Sequence, residues 1–403
     1  MANAWRKDFE ILSAEVYGHR LAYLDNAATT HVPIPVRDSM VSYLTHEHAN
    51  VHRGVHFLSE KATASMEAAR SHVASFLGAA CPEEIVFTSG ATDSLNLVAH
   101  GMGHSLGPDA TVVVSELEHH SNFVPWQRLC EERGAQFVVW HAQDGDLRIA
   151  DLRGLLEEHN VRVVAVTQVS NVTGAVVDLP QVVEAAHEAG ALVVADGAQG
   201  ILHEGMDVGA CGVDFYAFSA HKMCGPTGTG VLYGRRELLE GLEPVRFGGG
   251  MVDVVDERHT TYGALPYRLE AGTPNIAGIV GLDAAISYLE ASGLAQMRRH
   301  ERELMGYMLE RLTATEGVRI LGNPETRSAI VSFELEGGSA FDVAFLLDKM
   351  GIAVRSGHHC AQPALSGLGV STCVRASLAP YNDFRDVDAL SEGLMRIRTL
   401  VGA

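Results

Sequence analysis

The sequence predicts an α/β protein with a large domain on a mostly parallel seven-stranded sheet and a smaller α+β C-terminal domain. Three observations carry this reading. Short β-branched runs alternate with helical patterns through the first two-thirds of the chain, the βαβα order of a parallel sheet flanked by helices. Several of those runs are apolar throughout, as strands buried on both faces are. From about Ile276 the pattern changes to long helices, then to strands and helices in a different order.

Taken in order, strands are expected at 85–88, 111–115, 136–140, 161–169, 191–196, 213–219 and 230–234. Amphipathic helices such as 149–158 and 179–189 lie between them. In sheets of this kind, ligands bind beyond the carboxyl ends of the strands. One or two long helices then run from Ile276 to about Glu316. Strand 329–335, helix 340–350, a short strand 351–354, strand 372–378 and a final helix 383–401 follow. The expected division is an N-terminal segment (1–20) packing on the small domain, a large domain (21–275) and a small C-terminal domain (276–403).

Composition narrows the function classes. The 403 residues give a soft prior of two to three domains at about 150 residues each. With 47% hydrophobic and 20% charged residues, a disordered or fibrous chain is excluded. Lys plus Arg is 30 against 50 Asp plus Glu, a formal net charge of −20. Such a surface repels phosphate backbones, so no nucleic-acid partner is expected, although a small basic pocket for an anion is compatible with it. The six cysteines include no C-x-x-C pair, so no metal site of that kind is indicated, and their scatter fits a reducing compartment. The start has no apolar stretch after basic residues, and no apolar run approaches about 18 residues. A soluble, cytoplasmic protein without a membrane partner is expected. The histidines His46, His48, His52 and His56 match no standard metal spacing.

The most informative segment is Ala191-Leu-Val-Val-Ala-Asp196-Gly-Ala-Gln199, an apolar strand ending in an acid. A second strand, Asp214-Phe-Tyr-Ala-Phe-Ser219, runs into Ala220-His221-Lys222. A lone aspartate at a strand end is ordinarily a helix cap, and a lone lysine is ordinarily solvated. An acid and a lysine at the ends of two strands in one cleft are what pyridoxal phosphate (PLP) needs. The lysine forms a Schiff base, and the aspartate keeps the pyridine nitrogen protonated so that the ring can take up electrons. Phe87-Thr-Ser-Gly90-Ala91-Thr92 reads as strand, glycine turn, hydroxyl and helix start, which suits an anion such as the cofactor phosphate.

Here the sequence resembles the fold-type I PLP enzymes of the class V aminotransferase branch, through Asp196, Gln199 and the Ser219-x-His221-Lys222 context. The resemblance implies a covalent Schiff base (an aldimine) on Lys222, Asp196 on the ring nitrogen and Gln199 on the ring hydroxyl oxygen. It places Ala91, Thr92, Ser219 and His221 around the phosphate. In Glu118-His119-His120 it picks His119 to stack on the ring. Asn171 would touch the ring oxygen and the substrate, and Arg375 in Thr372-Cys-Val-Arg375 would bind the substrate carboxylate. Thr273 in Glu270-Ala-Gly-Thr273-Pro-Asn275 would reach the phosphate of a neighbouring subunit, which implies a homodimer with shared sites. Ala27 in the Leu24–Thr30 motif, together with His52 and Arg53, would lie near the substrate or the dimer seam.

A lone cysteine is most often buried packing. Cys360, however, lies in Arg355-Ser-Gly357-His358-His359-Cys360-Ala-Gln-Pro363, among polar and proton-bearing neighbours that favour a nucleophilic thiolate. This segment resembles the R-x-G-H-H-C-A-x-P signature of the group II (SufS-like) cysteine desulfurases and selenocysteine lyases. The longer Ser-rich loop of group I is absent. Cys360 is then the catalytic thiol, Arg355 a substrate contact, and the other five cysteines structural. The implied reaction converts L-cysteine to L-alanine with a persulfide on Cys360. That sulfur passes to a SufE-like or SufU-like acceptor for iron–sulfur cluster assembly. A histidine that often accompanies zinc-bearing U-type scaffolds is replaced by Phe341, which leaves an E-type acceptor open. A selenocysteine lyase, another class V enzyme such as an aminotransferase or kynureninase-like hydrolase, and a non-catalytic PLP-bound scaffold are the alternatives.

Overall fold

The computed structural model describes residues 3–52 and 54–401. Arg53, expected near the substrate, therefore lies outside the described residues. The central sheet is built from β1 (Ile85–Thr88), β2 (Thr111–Ser115), β3 (Gln136–Trp140), β4 (Val161–Thr167), β5 (Leu192–Asp196), β6 (Phe215–Ser219) and β7 (Gly230–Gly234). Their spatial order is β1-β7-β6-β5-β4-β2-β3. Only β7 runs antiparallel to its neighbours, β1 and β6. The expected strands at 161–169, 191–196 and 213–219 start or stop one or two residues earlier or later than observed, as strand ends fray into loops.

Side-chain alternation explains why these runs are apolar throughout. Val164 and Val166 of β4 enter one core cluster, while Val163 and Ala165 enter the cluster on the opposite face. Each strand thus buries both faces, and side chains of period two serve two helical layers. At the end of β7, Gly230 pairs with Ser219 on one side and Thr88 on the other. A Cβ there would lie 2.4 Å from the Gly90 Cα, so only glycine lets the two backbones meet at this point.

Beyond the sheet, the long helical stretch resolves into helices Ile276–Ser292 and Leu294–Ala314. Gly293 at φ +83° separates them, a left-handed cap that glycine adopts without cost. An antiparallel sheet of β8 (Val318–Ile320), β9 (Ile330–Leu335), β10 (Arg355–Gly357) and β11 (Cys373–Ser377) follows, in the order β8-β9-β11-β10. Its core, including Phe333, Val374, Leu390 and Leu394, is separate from the two central clusters. The short strand Ile352–Ala353 pairs in parallel with Ala22–Tyr23.

The N-terminal segment is tied to the end of the chain by charge. Asp386 is fully buried and accepts from Arg6 at 3.1 Å and Arg20 at 2.6 Å. The Asn3 amide donates to the carbonyls of Pro380 and Asn382. Among the described residues no helix is long and apolar enough to cross a membrane.

Candidate active site

Five loops converge at the carboxyl edge of the central sheet. β5 ends in Asp196, whose Oδ1 accepts from the Ala198 backbone at 2.8 Å, fixing the turn. The adjacent β6 ends in Ser219, and one 3₁₀ turn, Ala220–Lys222, carries Lys222 over the edge. Helix α1 (Ala91–Gly101) begins directly after Gly90, and its first amide, Ala91, donates to Ser219 Oγ at 2.8 Å. Helix α2 (His120–Arg133) is capped by the His119 ring, which accepts from Ser121 N at 3.1 Å. That bond places the His119 ring proton on Nε2 when the ring is neutral.

These loops enclose a cavity of 190 Å³. Ala91, Thr92, Ser219 and His221 line one part; His119, Asn171, Asp196, Gln199 and Lys222 line the rest. Nine residues named from the sequence therefore share one chamber. Ala27 joins them through its carbonyl oxygen, which accepts from both Lys222 Nζ and Gln199 Nε2. Two predicted residues lie elsewhere in the protomer. Thr273 lines a larger groove of 620 Å³ with Thr92 and Asn96, and with His52 it lines a further groove of 370 Å³. Neither groove contains Lys222 or Asp196, so size alone would point to the wrong chemistry.

Burial sets the charge states. The Lys222 amine is pushed down to about 7, first by burial and then by the cation of Arg375. Asp196 is pushed up to about 6 by burial, with Lys222 pulling it back. A protonated pyridine nitrogen beside it would hold the carboxylate ionised. His119 and His221 are each pushed down to about 4 by burial, so both rings stay neutral near pH 7. Glu118, unassigned from the sequence, is wholly buried and accepts from Ser115, Asn122 and the Thr167 backbone, which locks the turn into His119.

Arg375, on β11, is buried. Its Nη1 donates to the Asn171 carbonyl at 3.0 Å, its Nη2 lies 3.5 Å from Asp25, and its Nε has no partner among the described residues. The Nε–Nη2 edge, the one that grips a carboxylate with two parallel bonds, is thus only weakly engaged. Arg355, half exposed on β10, is paired to Asp25 through Nε and Nη2 at 3.0–3.1 Å. The sequence had shown Asp25 only as part of a motif; its contact with residues 330 and 350 positions away has no local signal.

Cys360 is exposed, whereas Cys130, Cys224 and Cys373 are buried, and burial pushes their thiols up to about 11, 12 and 11. Cys360 does not line the chamber of Lys222. Its loop is nonetheless tied to that chamber: Asn171 Nδ2 donates to the His359 carbonyl at 2.8 Å, and His120 N donates to the Cys360 carbonyl at 2.7 Å. His359 and Cys360 have φ of +50° and +53°, two consecutive left-handed residues without glycine's freedom. The buried His359 ring, bonded to the Cys373 carbonyl at 3.2 Å, helps hold that turn.

The donor set fits PLP. A buried amine and a buried carboxylate rise from neighbouring strands, and a helix N-terminus with hydroxyls lies between β1 and β6. The buried Asn171 Oδ1 and Arg375 Nε lack partners among the described residues, as polar atoms awaiting a ligand do.

Comparison with known proteins agrees. Residues 22–390 match the family described as Aminotransferase class-V. A cysteine desulfurase of Dickeya dadantii (strain 3937) is 47% identical over 400 residues, covering 98% of this chain and 97% of that one. A probable cysteine desulfurase of Halalkalibacterium halodurans is 44% identical over 403 residues, covering 100% and 99%. Among solved structures, the Escherichia coli cysteine desulfurase CsdA in its S-sulfonic acid form superposes with a TM-score of 0.91 at 39% identity, covering 98% of each chain. The apo cysteine desulfurase of Thermococcus onnurineus NA1 gives 0.93 at 38%, covering 98% of this chain and 99% of that one. The chain belongs to the class V aminotransferase family of fold-type I, PLP-dependent enzymes. Within that family it is an enzyme of the cysteine desulfurase type.

Proposed function

We propose that the protein converts L-cysteine to L-alanine, leaves the sulfur as a persulfide on Cys360, and passes it to an acceptor protein serving iron–sulfur cluster assembly of the SUF type. The observation that carries this reading is the bonding of the Cys360 loop to Asn171 and His120 at the wall of the Lys222 chamber. When bound, PLP supplies an electron sink for the substrate's α-carbon. Lys222 holds the cofactor covalently and, once free, takes the α-proton at Nζ, because burial and Arg375 leave that amine largely neutral near pH 7. Asp196 would hold the ring nitrogen, Gln199 and Asn171 the ring oxygen, and the neutral His119 would lie against the ring. Ala91, Thr92, Ser219 and His221 hold the phosphate. Arg375 binds the substrate carboxylate through its Nε–Nη2 edge.

The Cys360 thiolate then attacks the substrate sulfur. The Cβ–S bond breaks, Cβ takes a proton to become the alanine methyl, and the sulfur stays on Cys360 as S–S. No external oxidant or reductant is needed, since the Cβ–S bond and the Cys360 S–H bond are exchanged for one S–S bond and one C–H bond.

The reading includes a homodimer in which Thr273 reaches the phosphate of the neighbouring subunit, with His52 and Arg53 near the substrate or the dimer seam; Thr273 and His52 line grooves outside the protomer's own chamber. It also includes the division at 20/21 and 275/276, although the four-stranded sheet's core takes in Ala22 and Leu24 and the helix Ile276–Ser292 packs into the central cluster together with Phe9 and Leu12. The acceptor is of the SufE-like or SufU-like kind, and the protein is cytoplasmic. The test is Cys360→Ala. Cofactor absorbance is expected to persist while sulfur release from L-cysteine is lost; full desulfuration by that variant would overturn the assignment.

A further inference from the structure

Two segments assigned to the cofactor phosphate meet at the 620 Å³ groove. Thr88, Ser89 and Thr92 line it from the end of β1 and the start of α1, and Glu270 and Thr273 line it from the loop that follows Leu269. The segments are far apart in the chain, with 183 positions between Phe87 and Glu270, and one buried ion pair joins them.

Arg70, on the helix Phe57–Leu77, grips Glu270 with two parallel bonds, Nη1 to Oε1 at 2.6 Å and Nη2 to Oε2 at 3.0 Å. The two side chains are 1% and 6% exposed, so solvent does not screen the pair. Glu67 accepts from Arg70 Nε at 3.0 Å, and the guanidinium lies 4.5 Å from the centroid of the Phe87 ring. Both members of the pair also reach the backbone of β1. Arg70 Nη1 donates to the Ile85 carbonyl at 2.9 Å, and Glu270 Oε1 accepts from Phe87 N at 2.6 Å.

β1 is the end strand of the central sheet, hydrogen-bonded to β7 on its inner side. Residues two apart in a strand present their backbone groups to the same edge. The ion pair therefore sits where a further strand would bond, and it closes an edge that is otherwise open to local fraying. What that edge leads to is the phosphate turn. Thr88 is followed at once by Ser89, Gly90 and the first amide of α1, which is held by Ser219 Oγ. On the other side of the pair, Glu270 lies three residues before Thr273.

We infer that Arg70 and Glu270 are positioning residues for the cofactor phosphate, fixing the end of β1 so that the turn at Gly90–Ala91 and the Thr273 loop keep the geometry an anion needs. Neither side chain lines the chamber of Lys222, so both act through the backbone they hold. The inference rests on the proposed phosphate site at Ala91, Thr92, Ser219 and His221.

The test compares PLP with pyridoxal, which has the same ring and aldehyde but no phosphate. Each is titrated into the full-length enzyme freed of cofactor, with cofactor absorbance as the readout, for the wild type and for Glu270→Gln. The ratio of the two affinities decides, because general damage to the fold weakens both together. Glu270→Gln keeps an oxygen for Phe87 N but gives up a charge-assisted bond to Arg70, so PLP should lose about tenfold relative to pyridoxal. Arg70→Met combined with Glu270→Leu strands no buried charge, so it folds even where the single variant does not, and it should shift the ratio in the same direction. An unchanged ratio in either variant overturns the inference. A wild type that binds PLP and pyridoxal equally well would instead overturn the phosphate site itself, and the inference with it.

Discussion

Arg375→Lys measures what a two-pronged guanidinium contributes to substrate binding. The lysine keeps the positive charge but offers a single point, and it cannot both hold the Asn171 carbonyl, now bonded to Nη1 at 3.0 Å, and grip a carboxylate with two bonds. At least one charge-assisted hydrogen bond is lost, worth about 1.5–3 kcal/mol. At about 1.4 kcal/mol per factor of ten, kcat/KM for L-cysteine should fall about 10- to 150-fold. The α-carboxylate is held before and during the reaction, so most of the loss should appear as a higher KM rather than a lower kcat. The assay is L-alanine formation over a range of L-cysteine concentrations, with cofactor absorbance as the control for loading. A kcat/KM within about twofold of the wild type, in a fully loaded variant, would show that the Nε–Nη2 edge does not bind substrate.

Two further outcomes are expected. Because Lys222 Nζ accepts a proton only as the neutral amine, and burial with Arg375 brings it down to about 7, kcat should fall as pH drops below about 7. Arg375→Gln removes a cation that lowers this value, so the acid limb should move to higher pH; a limb that stays in place refutes the electrostatic coupling. Asp386→Ala strands the Arg6 guanidinium without its buried partner, and unfolding free energy should drop by about 3–5 kcal/mol. Denaturant melts of the two proteins measure this, and a loss below about 1 kcal/mol would mean that the N-terminal segment is held by other contacts.

Much of the site was legible because its chemistry sits at strand ends. Asp196 and Lys222 close two apolar runs that any sheet would place side by side, and the structure pairs those strands directly. His119 also follows a strand, β2, but only the family resemblance singles it out from His120. The Asp25–Arg355 pair was not, because it joins the chain's first motif to β10 across 330 residues, and neither partner lies in a periodic pattern. Ser121 and Glu118 act through capping and a buried carboxylate, which depend on the fold around them. The short strands Val318–Ile320 and Arg355–Gly357 were missed as well, being three residues each with an exposed arginine. Thr273 and His52 were legible only as motif positions. The protomer places them in grooves of their own, where a second copy of the chain, if it binds as proposed, would bring them to use.

The most direct test concerns where the sulfur goes. The PLP-loaded enzyme is mixed with L-cysteine in the absence of any acceptor, quenched, digested and weighed by mass spectrometry. A gain of one or more sulfur atoms confined to the Cys360 peptide and reversed by a thiol reductant is the predicted result. Stoichiometric L-alanine with an unmodified Cys360 peptide would contradict the account.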